Sequence, residues 1–472
     1  MVLPIEPTSL EACDASLSST GVVVRSNVTE PMIERDPTTG KLDPKLATKW
    51  EATDDTEWTF TLREGVKFQD GSAFDANAAA FAIDRAVNGQ LGCDVEGQMF
   101  GDPDVEVNAV DATTLTVTTE EPDPVMPLRL SFIELGAPTD AAKKVRTPIG
   151  TGPYAIKDWD AGTKISLIRN EDYWGDAPAY KMVEYQWRSE GTVRAAMVTG
   201  GEADLAIGLS ADDGAGELGE DYPNNETVAL RFSGGIAPLD DIRVRRAINY
   251  AIDKDGIIDA LYKGASEPAA QIVPPGIVGY NTDLKPWEFD LAKAKRLVVE
   301  AKADGVPTDD PITIVGRSEQ FPKIDQMGEI LQEQLSQIGL NSKLKMAETS
   351  TGLQYQVRPF IRDEGAIAMI IQHGNQAGDA LFSVDPYMTS HGAMSMFGTK
   401  EFDAKLQDAS TTTGIARQRA YADAFAYEKS DVVQFAFIAR MTGVIAKSKQ
   451  IDYEPNPASG DELRVSEIKP KS

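Results

Sequence analysis

Histidine is scarce in this chain of 472 residues, which has only His373 and His391. Zinc enzymes and Ser-His-Asp hydrolases usually place more, and neither HExxH nor GxSxG occurs. Cysteine is as rare: Cys13 and Cys93 belong to no CxxC pair and have no metal-ligand spacing around them. An even count permits one disulfide, and two unrelated free thiols fit the count equally well. Positive charge is in deficit, with 46 Lys and Arg against 74 Asp and Glu, a net charge of −28. A nucleic acid is bound through Lys and Arg, so no nucleic-acid partner is expected, nor docking on an anionic membrane. No apolar run of about 18 residues occurs, so no bilayer-spanning helix is expected. The start, MVLPIEPTSLEAC, has neither the basic nor the apolar region of a signal peptide, which suits a cytosolic protein or a mature form with a replacement Met1. The calcium-loop motif DxDxDG is missing too. No catalytic residue, metal or cofactor is expected, and an enzyme of unknown reaction stays only as a remote alternative.

What is present reads as a globular chain of two or three domains, 42% hydrophobic and 25% charged. Glu57–Arg63 alternates like a half-buried strand, and Asp75 is placed to cap an alanine-rich helix, ANAAAFAIDRAV. Residues 104–119 read as a hairpin turning at Asp111-Ala112, and Lys164–Arg169 as a strand. From about residue 230 helices and strands alternate. Helices are expected over 241–262, 289–304 and 323–338, with strands from Ile312 and over 341–346, as in βαβ units. Gly150-Thr151-Gly152-Pro153 lacks the lysine of a phosphate loop and the third glycine of a dinucleotide motif, so it reads as a tight turn whose backbone needs glycine. After the apolar strand 366–371, a glycine-interrupted loop gathers His373, Asn375, Gln376 and Asp379 where open α/β folds expose ligand contacts.

Several stretches in order resemble the family-5 extracytoplasmic solute-binding proteins of ABC importers, which include oligopeptide-, dipeptide- and nickel-binding proteins. They are LDPKLATKWE with TLREGVKFQDG (42–71), GTGPY (150–154), RNEDYWG (169–175), DDIRVRRAINYAID (240–253), FDLAKAKRLVVEA (289–301) and LQEQLSQIGL (331–340). The resemblance implies an α/β fold of the two-lobed periplasmic-binding-protein type, its lobes joined by a two-stranded hinge and closing on the ligand. It implies lobe I from residues 1–40, 150–235 and 437–472, an inserted subdomain over 41–149, and lobe II over 236–436. It implies an exported, periplasmic or extracytoplasmic monomer, and a membrane ABC permease as partner. It favours a Cys13–Cys93 disulfide, and it makes GTGPY structural. The implied ligand is an oligopeptide or peptide-like solute; an oligosaccharide or opine-like ligand is the alternative, and a nickel chelate capped by His373 is more remote. In peptide-binding relatives an aspartate holds the ligand's amine. Aligning Gly378-Asp379 puts Gln376 at that position, with Asp379 the anchor if the register shifts. Glu30, Phe100, Phe232, Ser233, Phe435 and Phe437 complete the implied ligand-binding set beside His373 and Asn375.

Overall fold

The computed structural model describes the whole chain except residues 16–17, 94, 96–104, 140, 362–364, 459–461 and 472. The chain forms two compact units, Met1–Tyr222 with Gly443–Ser472 and Pro223–Thr442. The sequence reading puts the changes of lobe near 235 and 436. In the structure both changes fall inside long strands, Gly219–Phe232 (14 residues) and Phe435–Lys447 (13 residues), so no loop signal marks them.

Among the described residues, two larger sheets pass through the first unit, beside two short strand pairs, Ile33–Arg35 with Leu42–Pro44 and Ile451–Asp452 with Lys469–Pro470. The larger runs through Val2–Leu3 (β1), which pairs in parallel with Met182–Trp187 on one side and Leu205–Ala206 on the other. Tyr154–Asp160 and Lys164–Arg169 extend it as an antiparallel hairpin. The smaller sheet, within residues 41–149, has four antiparallel strands: Ala47–Ala52 (β2), Glu57–Leu62 (β3), Val105–Ala109 (β4) and Thr114–Thr119 (β5), ordered β2-β3-β5-β4. Its helix, Ala76–Val87 (α1), starts where Asp75 accepts a bond from the Ala78 amide at 2.9 Å. The alanines Ala76, Ala79 and Ala86 and Ile83 are its buried face, and their small size lets it lie close on β4. Leu3, Val23, Val28, Tyr154, Leu167, Tyr185, Leu205 and Ile445 pack the main core.

In the second unit, strand Ile312–Arg317 (β6) pairs in parallel with both Ser342–Ala347 (β7) and Ala366–Gly374 (β8). The parallel pairs are the expected βαβ arrangement. Strand Gly219–Phe232 runs antiparallel to β8, and Phe435–Lys447 lies beside it. The helix expected over 241–262 is two, Ile242–Ala251 (α2) and Lys254–Tyr262 (α3). Ile252 is extended and Asp253 caps the second helix on the Gly256 amide at 3.0 Å, so an Asp-x-x-Gly cap interrupts a continuous apolar periodicity. Helices Leu291–Ala303 (α4) and Ile324–Gln337 (α5) match their expected spans within two residues.

The alternation of the strands sets two faces on this sheet. Val228, Leu230, Phe232, Ala368, Ile370, Ala436 and Ile438 enter one core with α2 and α5. Their neighbours Thr227, Ala229 and Arg231, Met369, Ile371 and His373, and Phe435 and Phe437 point the other way. Burying a side chain such as Leu230 or Ile370 contributes about 2 kcal/mol each. The core face therefore holds the register, and the opposite face is free to carry chemistry.

Candidate functional site

In the first unit the GTGPY turn is seated on backbone. A Cβ at Gly150 would stand 2.0 Å from the Val28 carbonyl oxygen, and one at Gly152 2.5 Å from that of Asn27. Neither glycine has a positive φ, so close approach, and not left-handed backbone, is what excludes a side chain here. The Gly152 amide donates to Val28 O at 3.0 Å, the Tyr154 amide to Asn27 O at 2.9 Å, and the Gln69 amide to Gly150 O at 2.9 Å. The Gln69 side chain completes the clamp: its oxygen accepts from the Gly150 amide at 2.7 Å and its nitrogen donates to Val28 O at 2.8 Å and Tyr154 O at 2.7 Å. These amides are all spent within the protein, which leaves no phosphate cradle.

Glu30 is wholly buried beside this turn. Its carboxylate accepts hydrogen bonds from Thr151 Oγ1, Tyr173 OH and Trp174 Nε1, each at 2.8 Å, and lies 3.4 Å from Lys45 Nζ. It thus ties the GTGPY and RNEDYWG segments to one point. Cys13 and Cys93 form a disulfide. Flanking it, Glu11 holds Arg85 through both oxygens at 2.9 and 3.0 Å, and Asp14 holds Lys144 at 2.7 Å. Phe100 lies outside the described residues.

The second unit brings more of the expected residues together. Strand β8 continues through His373 to Gly374, so His373 sits on a strand and the loop begins only at Asn375. There the Asn375 side chain organises the turn. Its oxygen accepts from the Gly378 amide at 2.9 Å, and its nitrogen donates to Asp379 O and to Ser383 Oγ, both at 2.8 Å. His373 Nε2 lies 2.7 Å from the same Ser383 Oγ, and the ring packs on Tyr387 with centroids 4.6 Å apart. Burial pulls the pKa of His373 down to about 4, so the ring is neutral at physiological pH. Asp379 is buried and holds Arg417 through both oxygens at 2.7 and 2.8 Å; one oxygen also accepts from the Leu381 amide at 3.0 Å. Gln376 is half-buried in the same loop.

On the same sheet face the Phe435 and Phe437 rings stack at 5.2 Å. Phe232 belongs to the core face. Ser233 is stitched to Ile367, its hydroxyl accepting from the Ile367 amide at 2.7 Å while its own amide donates back at 2.9 Å. Residues the sequence reading omits also gather here. Arg317, at the carboxyl end of β6, and Lys345, within β7, reach Gln356 Oε1 at 3.3 Å and Tyr355 OH at 2.6 Å. Arg231 is buried, donates to the carbonyls of Tyr355, Gln356 and Met394, and has its pKa lowered to about 10 by desolvation. A basic residue ending a parallel strand is the sequence signal that finds Arg317; nothing local announces Arg417 or Ser383 as partners.

Among the described residues no group of three or more His, Cys, Asp or Glu could hold a metal ion, and no helix is long and apolar enough to cross a membrane. Comparison with known proteins adds the lineage. The chain is 30% identical over 362 residues to the nickel-binding periplasmic protein of Escherichia coli K12, covering 69% of this chain and 67% of that protein. It is 29% identical over 340 residues to the dipeptide-binding protein of the same organism, covering 65% of this chain and 63% of that one. A solved structure from Helicobacter pylori, an ABC transporter-associated periplasmic binding protein in complex with the peptide STSA, superposes with a TM-score of 0.86 at 20% identity, over 100% of this chain and 97% of that one, and shows the shared fold. The model of the bacterial extracellular solute-binding proteins, family 5, matches residues 41–395, three quarters of the sequence, and the chain belongs to that family.

Proposed function

We propose that the protein captures a small peptide or peptide-like solute outside the cytoplasmic membrane and delivers it, as a monomer, to a membrane ABC importer. The observation that carries the peptide reading is the mixture of groups at the strand ends of the second unit. Neutral hydrogen-bonding side chains, His373 and Gln376, share that end of the sheet with the half-buried cation Arg317, and the half-buried Lys345 lies further back on the same face of β7. Amide-reading groups beside fixed positive charge suit a chain of peptide bonds that ends in a carboxylate. The names of relatives that bind dipeptides and the peptide STSA support the same reading.

The ligand's amine is held without Asp379, whose two oxygens are taken by Arg417. A neutral acceptor, Gln376 or a main-chain carbonyl, serves in its place. Calorimetry with Gly-Leu, N-acetyl-Gly-Leu and Gly-Leu-amide tests this. Binding is expected to survive acetylation within about threefold and to fall about tenfold or more on amidation, the cost of one charge-assisted bond. Loss on acetylation would overturn the neutral anchor. Binding of oligosaccharides or opines with no response to any peptide would overturn the peptide reading itself.

A further inference from the structure

We propose that Asn375 and Ser383 fix His373 in the tautomer that carries its proton on Nδ1, and that this N–H selects solutes presenting a carbonyl or carboxylate oxygen to it. The argument follows the hydrogens. The Asn375 amide cannot be turned round, because its oxygen already accepts from the Gly378 amide at 2.9 Å. Its nitrogen therefore donates to Ser383 Oγ, at 2.8 Å. A serine hydroxyl has one hydrogen and two lone pairs. With a lone pair filled by Asn375, the hydroxyl hydrogen is free to point at His373 Nε2, 2.7 Å away. Ser383 is fully buried, so no water competes for it. Among the described residues the hydroxyl hydrogen has no other acceptor, so it goes to Nε2 and leaves no room for an Nε2–H; a neutral imidazole that accepts at Nε2 keeps its hydrogen at Nδ1.

The packing holds that arrangement. Tyr387 lies against the ring at 4.6 Å and sets its plane. Burial keeps the ring neutral, with a pKa of about 4. Among the described residues the ring makes no other hydrogen bond, and the side chain is half-buried at a strand's carboxyl end. A second polar group stands next to it. Thr227 is the direct cross-strand partner of His373, so both project from the same sheet face. Its hydroxyl is buried and, among the described residues, has no hydrogen-bond partner. A buried hydroxyl is rarely left unpaired without a function, because its lost hydration is then not repaid. An N–H donor and an unpaired hydroxyl side by side match one peptide carbonyl or carboxylate. They do not match a metal chelate: Nε2 is occupied, and a protonated Nδ1 has no lone pair to give.

The tautomer stands on geometry alone; the ligand class rests on the peptide reading above. With only two histidines, the full chain labelled with 15N-histidine gives a simple ring spectrum, and H391N assigns it. The expected result for the unliganded protein at pH 7 is a protonated Nδ1 and a bare Nε2 on His373. The opposite tautomer, an even mixture or an imidazolium would overturn the lock. Ser383→Ala should convert the single tautomer to a mixture, a change that a purely structural serine would not cause, and Ser383→Thr should restore it. The wild-type spectrum decides the lock even if those variants fail to fold. Adding Gly-Leu should move the Nδ1 resonance, and nickel with free histidine should leave His373 unmoved. Gly-Leu binding measured by calorimetry with no change at Nδ1, or a shift with nickel, would overturn the donor role while the peptide reading stands. If Gly-Leu fails to bind, the peptide reading and the donor's ligand class fall together, and the lock is still judged by the unliganded spectrum.

Discussion

The two units differ in how they carry charge. The first has 23 Lys and Arg against 45 Asp and Glu, and the second has 23 against 29, so most of the net negative charge sits in the first. Their buried polar groups differ in the same direction. The first unit buries acidic side chains: Glu30 meets Thr151, Tyr173 and Trp174, Glu11 meets Arg85, and Glu134 meets Thr29 at 2.7 Å. The second leans to guanidiniums met by backbone, a mode that Arg194 also shows in the first and from which Arg417, paired with Asp379, departs. Arg231 donates to three carbonyls, as above, and Arg245 donates to those of Leu239, Asp240, Val432 and Val433. A carboxylate needs donors, which side chains and a few free amides supply, whereas a guanidinium has five donors and fits the carbonyls where loops turn. The net acidity is thus no guide to the candidate site, which lies in the nearly balanced unit among cations.

The strongest way to break this comparison is at the covalent link. The Cys13–Cys93 bond closes a loop of 80 residues within the first unit. Loop-closure entropy puts its contribution at about 4 kcal/mol. Cys13→Ser should lower the stability of the first unit by that amount, read by hydrogen exchange on peptides from each unit, with the second unchanged. Equal loss in both would show that they unfold as one. Next in size is Asp379→Asn, which strips a buried guanidinium of its carboxylate. About 3 kcal/mol should be lost from the second unit alone, since Arg417 keeps the carbonyls of Ala409, Ser410 and Thr412. An unchanged melting curve with lost ligand binding would instead make Asp379 a ligand contact.

A third test is a pH dependence present in both units. Desolvation raises Glu134 in the first unit to about 8, against the pull of Arg25, and Glu428 in the second to about 7, against bonds from the Gln434 and Phe435 amides. The ordinary glutamate value is 4.5, so each folded unit holds a proton that the unfolded chain releases. Their stabilising effect is complete below about 4.5 and is lost as pH rises through the folded values. The first unit should keep weakening up to about pH 8 and the second only to about 7. Glu134→Gln should flatten the first profile and leave the second; a profile unchanged by that substitution would locate the proton elsewhere.

Much of the architecture was legible because period and caps act locally. Asp75, the hairpin at Asp111 and the strand 164–169 needed only neighbours in sequence. The break at Ile252 was hidden because apolar spacing continued through it, and only the Asp253 cap marks it. The turn at 150–154 was recognisable as structural, but its reason was not. Gly150 must be bare because Val28, more than a hundred residues away, lies against it. In the candidate site, the grouping of some residues was legible and their partners were not. His373, Asn375 and Asp379 do converge, yet what each can do depends on Ser383 and Arg417, and Thr227 enters only through strand register. Hydrogen-bond direction has no sequence period, so it had to be read from the fold.

The division of the chain also bears on its synthesis. The second unit is one uninterrupted stretch, Pro223–Thr442, so every contact within it is available once that stretch has left the ribosome. The first unit begins earlier and cannot finish until the end. Its Asn27 side chain waits for Leu463 O at 2.7 Å and the Val465 amide at 2.8 Å, and Leu205–Ala206 waits for Ala446 and Lys447. The part of the protein that is made first is therefore the last to close.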